Sequence, residues 1–146
     1  MLGRLMETRD DLAAVVLRLG LGVVMLPHGA QKALGWFGGR GFTATTDAFV
    51  AQGIPYVLAL LVIAAEFLGP LGLFVGLLTR VASFGIFCVM FVAATTVHAK
   101  HGFFMNWFGQ QQGEGFEYHI LAMAIAFALM IRGGGSLSLD RAIAGR

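Results

Sequence analysis

Residues 56–78 have the sequence Tyr56-Val-Leu-Ala-Leu-Leu-Val-Ile-Ala-Ala-Glu66-Phe-Leu-Gly-Pro-Leu-Gly-Leu-Phe-Val-Gly-Leu-Leu78, an apolar run interrupted by one charged residue. A helix needs about 20 apolar residues to cross a bilayer, and this run is long enough. A carboxylate at the bilayer centre costs roughly 2.5–3.5 kcal/mol on insertion scales. We therefore expect Glu66 to face protein, a cavity or a partner molecule instead of lipid.

Three further apolar stretches lie at about residues 12–34, 81–99 and 117–132. Together with the Glu66 segment they predict a single all-α domain over residues 1–146, an integral membrane bundle of four helices. The glycine-containing segments 35–55 and 100–117 are predicted to be loops. The link at Thr79-Arg80 is short, so the second and third helices are expected to be antiparallel neighbours.

The composition agrees with a membrane-embedded chain. It is 58% hydrophobic and 12% charged, whereas a soluble domain averages about 25% charged residues. The expected surroundings are therefore membrane lipid, and the small net charge of +2 gives no indication of nucleic-acid binding. Because Cys88 is the single cysteine, an intrachain disulfide and a CxxC redox pair are both excluded.

The distribution of lysine and arginine predicts the orientation of the helices. With four crossings, one side of the membrane would hold Arg4, Arg9, Arg80, Arg132, Arg141 and Arg146, and the other Lys32, Arg40 and Lys100. Cytoplasmic loops carry the excess of positive charge, so both termini are predicted to be cytoplasmic.

The same topology gathers the polar residues near the outer face. The first helix ends with His28, Gln31 and Lys32, the third ends with His98 and His101, and the fourth begins with Glu117 and His119. Imidazoles with a carboxylate can bind a transition metal, or they can hydrogen-bond a quinone carbonyl or an oxyanion and transfer protons. In the alternative interpretation these side chains only meet water and lipid headgroups. Neither an HExxH motif nor a closely spaced Cys/His set occurs, so no metal site is predicted.

Two ionisable residues lie deeper in the membrane. Helical side chains lean toward the N-terminus of their helix, which directs Glu66 toward the outer cluster and Arg18 toward the inner side. Glu66 is interpreted either as a proton relay or as a hydrogen-bonded link between helices. Arg18 either binds a ligand or snorkels to the interface, and an Arg18–Glu66 pair is not favoured by these directions.

Several short motifs together resemble the DoxX family of small bacterial membrane proteins. They are Arg18-Leu-Gly-Leu-Gly, His28-Gly-Ala-Gln-Lys32, Glu66-Phe-Leu-Gly, Gly76-Leu-Leu-Thr-Arg80 and Gly133-Gly-Gly-Ser-Leu-Ser-Leu-Asp140. The resemblance implies a four-helix, multi-pass protein of the bacterial inner membrane. Its relatives include membrane subunits of thiosulfate:quinone oxidoreductase, and the matching functional positions are Arg18, His28, Lys32 and Glu66.

The leading hypothesis is a membrane subunit of a quinone-linked oxidoreductase, with quinone as its cofactor and electrons supplied by a redox partner protein. Glu66 and His28 are the candidate catalytic residues. The candidate ligand-binding residues are Arg18, Lys32, Gln31, His98, His119 and Glu117. Two alternatives are a proton-coupled binding or transport protein for a small molecule, and a non-catalytic scaffold for a redox or stress partner. The glycines of residues 69–76 include a GxxxG pair, which favours close helix packing and a homo-oligomer.

Overall fold

The computed structural model describes residues 6–144, and within this range every regular element is helical. The predicted all-α class is therefore confirmed. The helices are α1 (Leu12–Ala33), α2 (Gly41–Ala51), α3 (Tyr56–Val75), α4 (Thr79–Ala93), α5 (Glu117–Arg132) and α6 (Leu139–Ala144). A 3₁₀ turn follows α1 at Trp36–Gly38, and α4 continues through a π turn (Ala94–His98) into a 3₁₀ turn (Ala99–His101). Arg4 and Arg146, which the charge argument uses, lie outside the described residues.

Three segments of the described chain are long and apolar enough to cross a membrane: Leu12–Ala33, Tyr56–Val75 and Thr79–His101. The 16 residues of α5 extend about 24 Å, which is less than the hydrocarbon thickness of about 30 Å. Nevertheless, α5 resembles the longer helices in having one buried apolar face and one exposed apolar face. Its Ala126 and Leu129 are fully buried, whereas Leu121 and Ile131 are exposed.

The helices share one apolar core. In this core α1 packs against α3 and α5, and α4 packs against the same two helices. The buried core residues include Leu21, Met25, Leu73, Ile86, Met90, Ala122, Ala126 and Leu129. Ala122 and Ala126 lie one turn apart on α5, and their small side chains let the neighbouring helices approach closely.

One sequence prediction about the fold is wrong, because the predicted loop 35–55 contains the helix α2. Its glycines mark the borders instead of breaking it: Gly41 and Gly53 have φ of +76° and +84°. Between them, α2 buries Thr45 and Thr46 and packs against α1 and α3. The Thr46 hydroxyl donates to the carbonyl of Thr43 at 2.8 Å, which satisfies its polar group within the helix. Threonine therefore did not prevent a helix here, because tertiary packing outweighs its weak propensity.

The link between α3 and α4 is held by a residue far along the chain. The carboxylate of Asp140 accepts hydrogen bonds from the backbone N–H of Leu78 at 2.6 Å and of Thr79 at 2.8 Å. It therefore caps the first turn of α4, where backbone donors lack partners. Leu78 has φ of +50°, an uncommon value for a residue with a side chain, and these bonds fix its backbone there.

The predicted GxxxG face is only partly a helix-packing surface. Gly69 lies 3.5 Å, measured from an ideal Cβ position, from the side chain of Ile86 on α4. Gly76, however, is the left-handed residue that ends α3, and a Cβ there would lie 2.4 Å from that of Ser138. Gly76 is therefore required for close contact with the C-terminal segment.

Candidate functional site

A buried ion pair joins α1 to α3. The Nζ atom of Lys32 lies 2.5 Å from Oε2 of Glu66, and the exposed fractions of the two side chains are 27% and 5%. Glu66 thus faces protein, as its position in an apolar run predicts. A buried carboxylate needs a partner to remain charged, and Lys32 supplies a positive charge from the end of the pair that is open to solvent.

Gly29 allows α1 and α3 to approach closely enough for this pair to form. A Cβ on Gly29 would lie 2.0 Å from the carbonyl oxygen of Glu66 and 2.6 Å from Cα of Phe67. Lys32 follows Gly29 by almost one turn on the same helix, so the backbone contact brings its ammonium group within reach of Glu66. Gly29 was not among the residues predicted for the site, although a glycine between His28 and Lys32 is a signal of close helix approach.

A chain of aromatic rings runs beside the ion pair, from α1 through α5 to the end of α4. The ring centroids of His28 and Tyr118 are 6.4 Å apart, those of Tyr118 and His119 are 5.3 Å apart, and those of His119 and His98 are 4.2 Å apart. The structure therefore brings three of the predicted site residues together, and Tyr118 connects them. Tyr118 was not among the residues predicted for the site, because a tyrosine at a helix end also suits the membrane interface.

His119 carries an unused polar atom. It is 5% exposed, and its Nδ1 atom has no hydrogen-bond partner among residues 6–144. Buried polar atoms without a partner are uncommon in proteins, and an imidazole nitrogen donates or accepts according to its tautomer. By contrast, Nδ1 of His98 lies 2.8 Å from the carbonyl oxygen of Glu114, which orients that ring. His119 therefore has free hydrogen-bonding capacity for a ligand.

The hydroxyl of Tyr118 is also weakly engaged. It donates to the thioether sulfur of Met25 at 3.5 Å, and a thioether is a weak acceptor. Glu66 lies near enough to act electrostatically on both Tyr118 and His28. The ion pair and the ring chain therefore form one connected site, which we call the Glu66 site: Lys32, Glu66, His28, Tyr118, His119 and His98.

Two other predicted residues lie at the same end but hold the loops around the Glu66 site. The Nε2 group of Gln31 donates to the carbonyl of Phe37 at 3.2 Å. The Oε1 atom of Glu117 accepts from the backbone N–H of Met105 at 2.9 Å and from the indole N–H of Trp107 at 3.3 Å. Glu117 therefore ties the segment between α4 and α5 to the start of α5.

Arg18 lies apart from the Glu66 site. It is 2% exposed, and one terminal nitrogen donates to the carbonyls of Leu73 at 2.8 Å and Phe74 at 2.7 Å. The other donates to the carbonyl of Leu137 at 2.6 Å. Two of the last four carbonyls of α3 are thus bound by a buried guanidinium, so the snorkelling interpretation is wrong. Lys32 is about 21 Å farther along α1, which separates Arg18 from the pair.

Ionic contacts also tie together the chain ends on the Arg18 side, where α1 begins and α5 ends. Hydrogen bonds from Arg141 and Ser136 lower the pKa of Asp10 below its usual value of 3.8. Burial raises the pKa of Asp11, but hydrogen bonds from Arg132 and from the backbone N–H of Ala13 outweigh it and leave that pKa lowered. The side opposite to the Glu66 site is therefore held together by charge as well as by the contacts of Arg18 and Asp140.

The described residues include no group of three or more histidine, cysteine, aspartate or glutamate side chains that could hold a metal ion. The ring chain contains three imidazoles and the phenol of Tyr118. The chemistry that its geometry supports is hydrogen bonding and proton transfer.

The apolar helices and the buried polar site define a multi-pass membrane protein. The chain belongs to the DoxX family, whose model matches residues 13–99. This confirms the resemblance that the sequence motifs indicated. The chain is also similar to a protein of Bacillus subtilis (strain 168) named "Putative oxidoreductase CatD", with 28% identity over 135 residues that cover 92% of this chain and 90% of that relative. No solved structure matches the chain.

Proposed function

We propose that this protein is a membrane subunit of a quinone-linked oxidoreductase system in the bacterial inner membrane. The observation that carries the proposal is the buried Lys32–Glu66 pair, which adjoins a chain of rings ending at the unpartnered nitrogen of His119. The oxidoreductase name of the Bacillus subtilis relative supports the class of reaction.

The proposal includes a topology. In it α5 crosses the membrane as a fourth helix beside α1, α3 and α4, and both termini are cytoplasmic. The apolar outer surface of α5 and its contacts with α1 and α4 support the crossing. The Glu66 site would then open toward the outer face, and the Arg18 side would lie at the cytoplasmic face, where Arg80 and Arg132 satisfy the positive-inside rule.

The donors in the Glu66 site fit a quinone. A quinone offers two carbonyl oxygens, and the site holds an ammonium group, a weakly engaged hydroxyl and a free imidazole nitrogen. When bound, a quinone would supply two-electron, two-proton chemistry, with its electrons coming from a redox partner protein. Its apolar tail would lie against the lipid-facing helices.

The residues of the chain then take distinct roles. Lys32 orients a carbonyl or anionic group from the solvent side of the site. Glu66 and His28 accept and deliver protons, because a carboxylate and an imidazole beside each other can pass a proton over a short distance. His119 and Tyr118 donate hydrogen bonds, and the carbonyl of Glu114 holds the ring of His98 in place.

A quinone-binding assay on purified protein tests the proposal. We expect a short-chain quinone analogue to raise the melting temperature of the wild-type protein, and we expect His119→Gln to abolish that rise. His101→Gln is the matched control, because His101 lies at the same end and outside the ring chain. The proposal fails if extracted protein contains no quinone and the analogue leaves the melting temperature unchanged.

A further inference from the structure

A cavity adjoins the ion pair through Lys32, which is part of its lining. It has a volume of about 280 Å³ and lies between the end of α1, the 3₁₀ turn and α2. The lining includes the side chains of Gln31, Lys32, Arg40, Thr45, Phe49 and Gln52. Because α2 forms one wall, this cavity exists only through the helix that the sequence analysis missed.

The lining is suited to an anion. It combines two cationic side chains, Lys32 and Arg40, with two amides, and no carboxylate lines it among the described residues. The amides of Gln31 and Gln52 each donate one hydrogen bond to a backbone carbonyl, at 3.2 Å and 3.0 Å, and each NH₂ group has a second N–H for an anion. Ammonium, guanidinium and amide N–H groups all donate hydrogen bonds to anionic oxygens. Phe49 adds an apolar surface, so the cavity can take a charged group at one end and a hydrocarbon group at the other.

Lys32 belongs both to this cavity and to the Glu66 pair. Its side chain is 27% exposed, whereas that of Glu66 is 5% exposed, so Lys32 can rotate toward the cavity while Glu66 remains in the protein. A buried carboxylate that loses its cation is costly in its charged form. A proton from solvent can then replace Lys32 as the group that neutralises Glu66.

We propose that this cavity binds a small organic carboxylate, which takes Lys32 from Glu66, and that Glu66 takes up one proton from solvent in exchange. Ligand and proton therefore bind together, and the Glu66 site senses the ligand through its charge state. The volume lies just below the roughly 300–1,000 Å³ range of ligand pockets, which indicates a small molecule. The inference does not require that a quinone binds.

Titration calorimetry with benzoate tests the proposal, with benzamide as the neutral analogue of the same shape. The protein is held in a maltoside detergent and, in parallel, in nanodiscs of zwitterionic lipid. We expect saturable binding of one benzoate and no binding of benzamide. Repeating the titration in buffers of different ionisation enthalpy should show uptake of about one proton per benzoate, by linkage between the two ligands.

Variants test separately whether the cavity binds the carboxylate and whether Glu66 takes up the proton. Arg40→Gln removes one cation from an exposed position and should weaken benzoate binding about tenfold, or about 1.4 kcal/mol, because a charged hydrogen bond to the carboxylate is lost. Lys100→Gln removes the same charge at the same end outside the cavity and should leave binding unchanged. Glu66→Gln frees Lys32, so it should bind benzoate at least as tightly as wild type and take up no proton.

Several results would overturn the proposal. They are the absence of saturable benzoate binding, equal binding of benzamide, an unchanged affinity in Arg40→Gln, or the same proton uptake in Glu66→Gln as in wild type. A lipid phosphate is the other source of anionic oxygen at this depth. If nanodiscs containing phosphatidylglycerol bind through Arg40 and benzoate does not compete, the cavity is a lipid headgroup site and the carboxylate proposal is wrong.

Discussion

Removing the positive charge of Lys32 should destabilise the protein mainly through Glu66. In Lys32→Met the side chain keeps its unbranched apolar stem and loses the terminal ammonium group, so the carboxylate, which is 5% exposed, loses its cation. Truncating one partner of a buried pair costs about 3–5 kcal/mol. Because water reaches the Lys32 end of the pair, we expect the free energy of unfolding to fall by an amount near the lower limit, about 3 kcal/mol.

The double-mutant cycle with Glu66→Gln isolates the interaction. Glu66→Gln leaves a more exposed lysine and should cost about 1 kcal/mol, as for loss of one hydrogen-bond partner. The double variant buries no charge, so it should lose about 2 kcal/mol instead of the roughly 4 kcal/mol that additive effects would give. The resulting coupling of about 2 kcal/mol is measured from free energies of unfolding in mixed micelles.

Additive effects in the double-mutant cycle would refute an interaction between Lys32 and Glu66. Independent sites have additive effects within about 0.3–0.5 kcal/mol. If the double variant loses as much stability as the two single variants together, Lys32 and Glu66 do not interact in the membrane-embedded protein. The pH should be held at neutrality, because acidification neutralises carboxylates and would hide the coupling.

Three further predictions concern packing, capping and pH. Gly29→Ala should destabilise the protein by about 1–3 kcal/mol, as overpacking does, because its Cβ would lie 2.0 Å from the Glu66 carbonyl oxygen. Gly20→Ala on the same helix is the control, since nothing lies within 4 Å of its Cβ, and its melting temperature should not fall. Asp140→Asn should lose about 1–2 kcal/mol, as other helix caps do, because one of the two accepting oxygens becomes an NH₂ group and the negative charge is lost; an unchanged unfolding free energy would show that this cap is unimportant. The pKa of Asp10 is lowered in the folded state, so its contribution is complete above pH 3.8 and is lost as the pH falls below that value. An acid titration of unfolding should therefore be shallower for Asp10→Asn than for wild type, and identical titrations would contradict this assignment.

The sequence alone predicted the helical class and the inward position of Glu66, because both follow from one requirement. A long apolar run excludes water, so its backbone must form a helix and its single carboxylate must find a polar neighbour. For the histidines, the sequence predicted only that they lie near the same face of the membrane, and not which of them are in contact. The contact of His98 with His119 depends on packing between α4 and α5, which no local spacing specifies.

The partners of the buried charges were not predictable from the sequence. Arg18 was expected to snorkel or bind a ligand, yet it donates to carbonyls at the end of α3 and in the C-terminal segment. Asp140 caps a helix that begins far earlier in the chain. Both contacts join segments distant in sequence, and periodicity in one helix carries no information about them. The helix α2 was missed because its stability comes from packing on α1 and α3.

The contact between Lys32 and Glu66 is the feature on which the site, the proposed function and the carboxylate cavity all depend. Lys32 and Lys100 are the two lysines of the chain, so solid-state NMR on protein in lipid bilayers, with ¹⁵N-labelled lysine and ¹³C-labelled glutamate, can detect the contact directly. We predict a through-space correlation between a lysine Nζ and a glutamate carboxyl carbon that disappears in both Lys32→Met and Glu66→Gln. A wild-type spectrum without that correlation, or one in which it persists in either variant, would contradict this account.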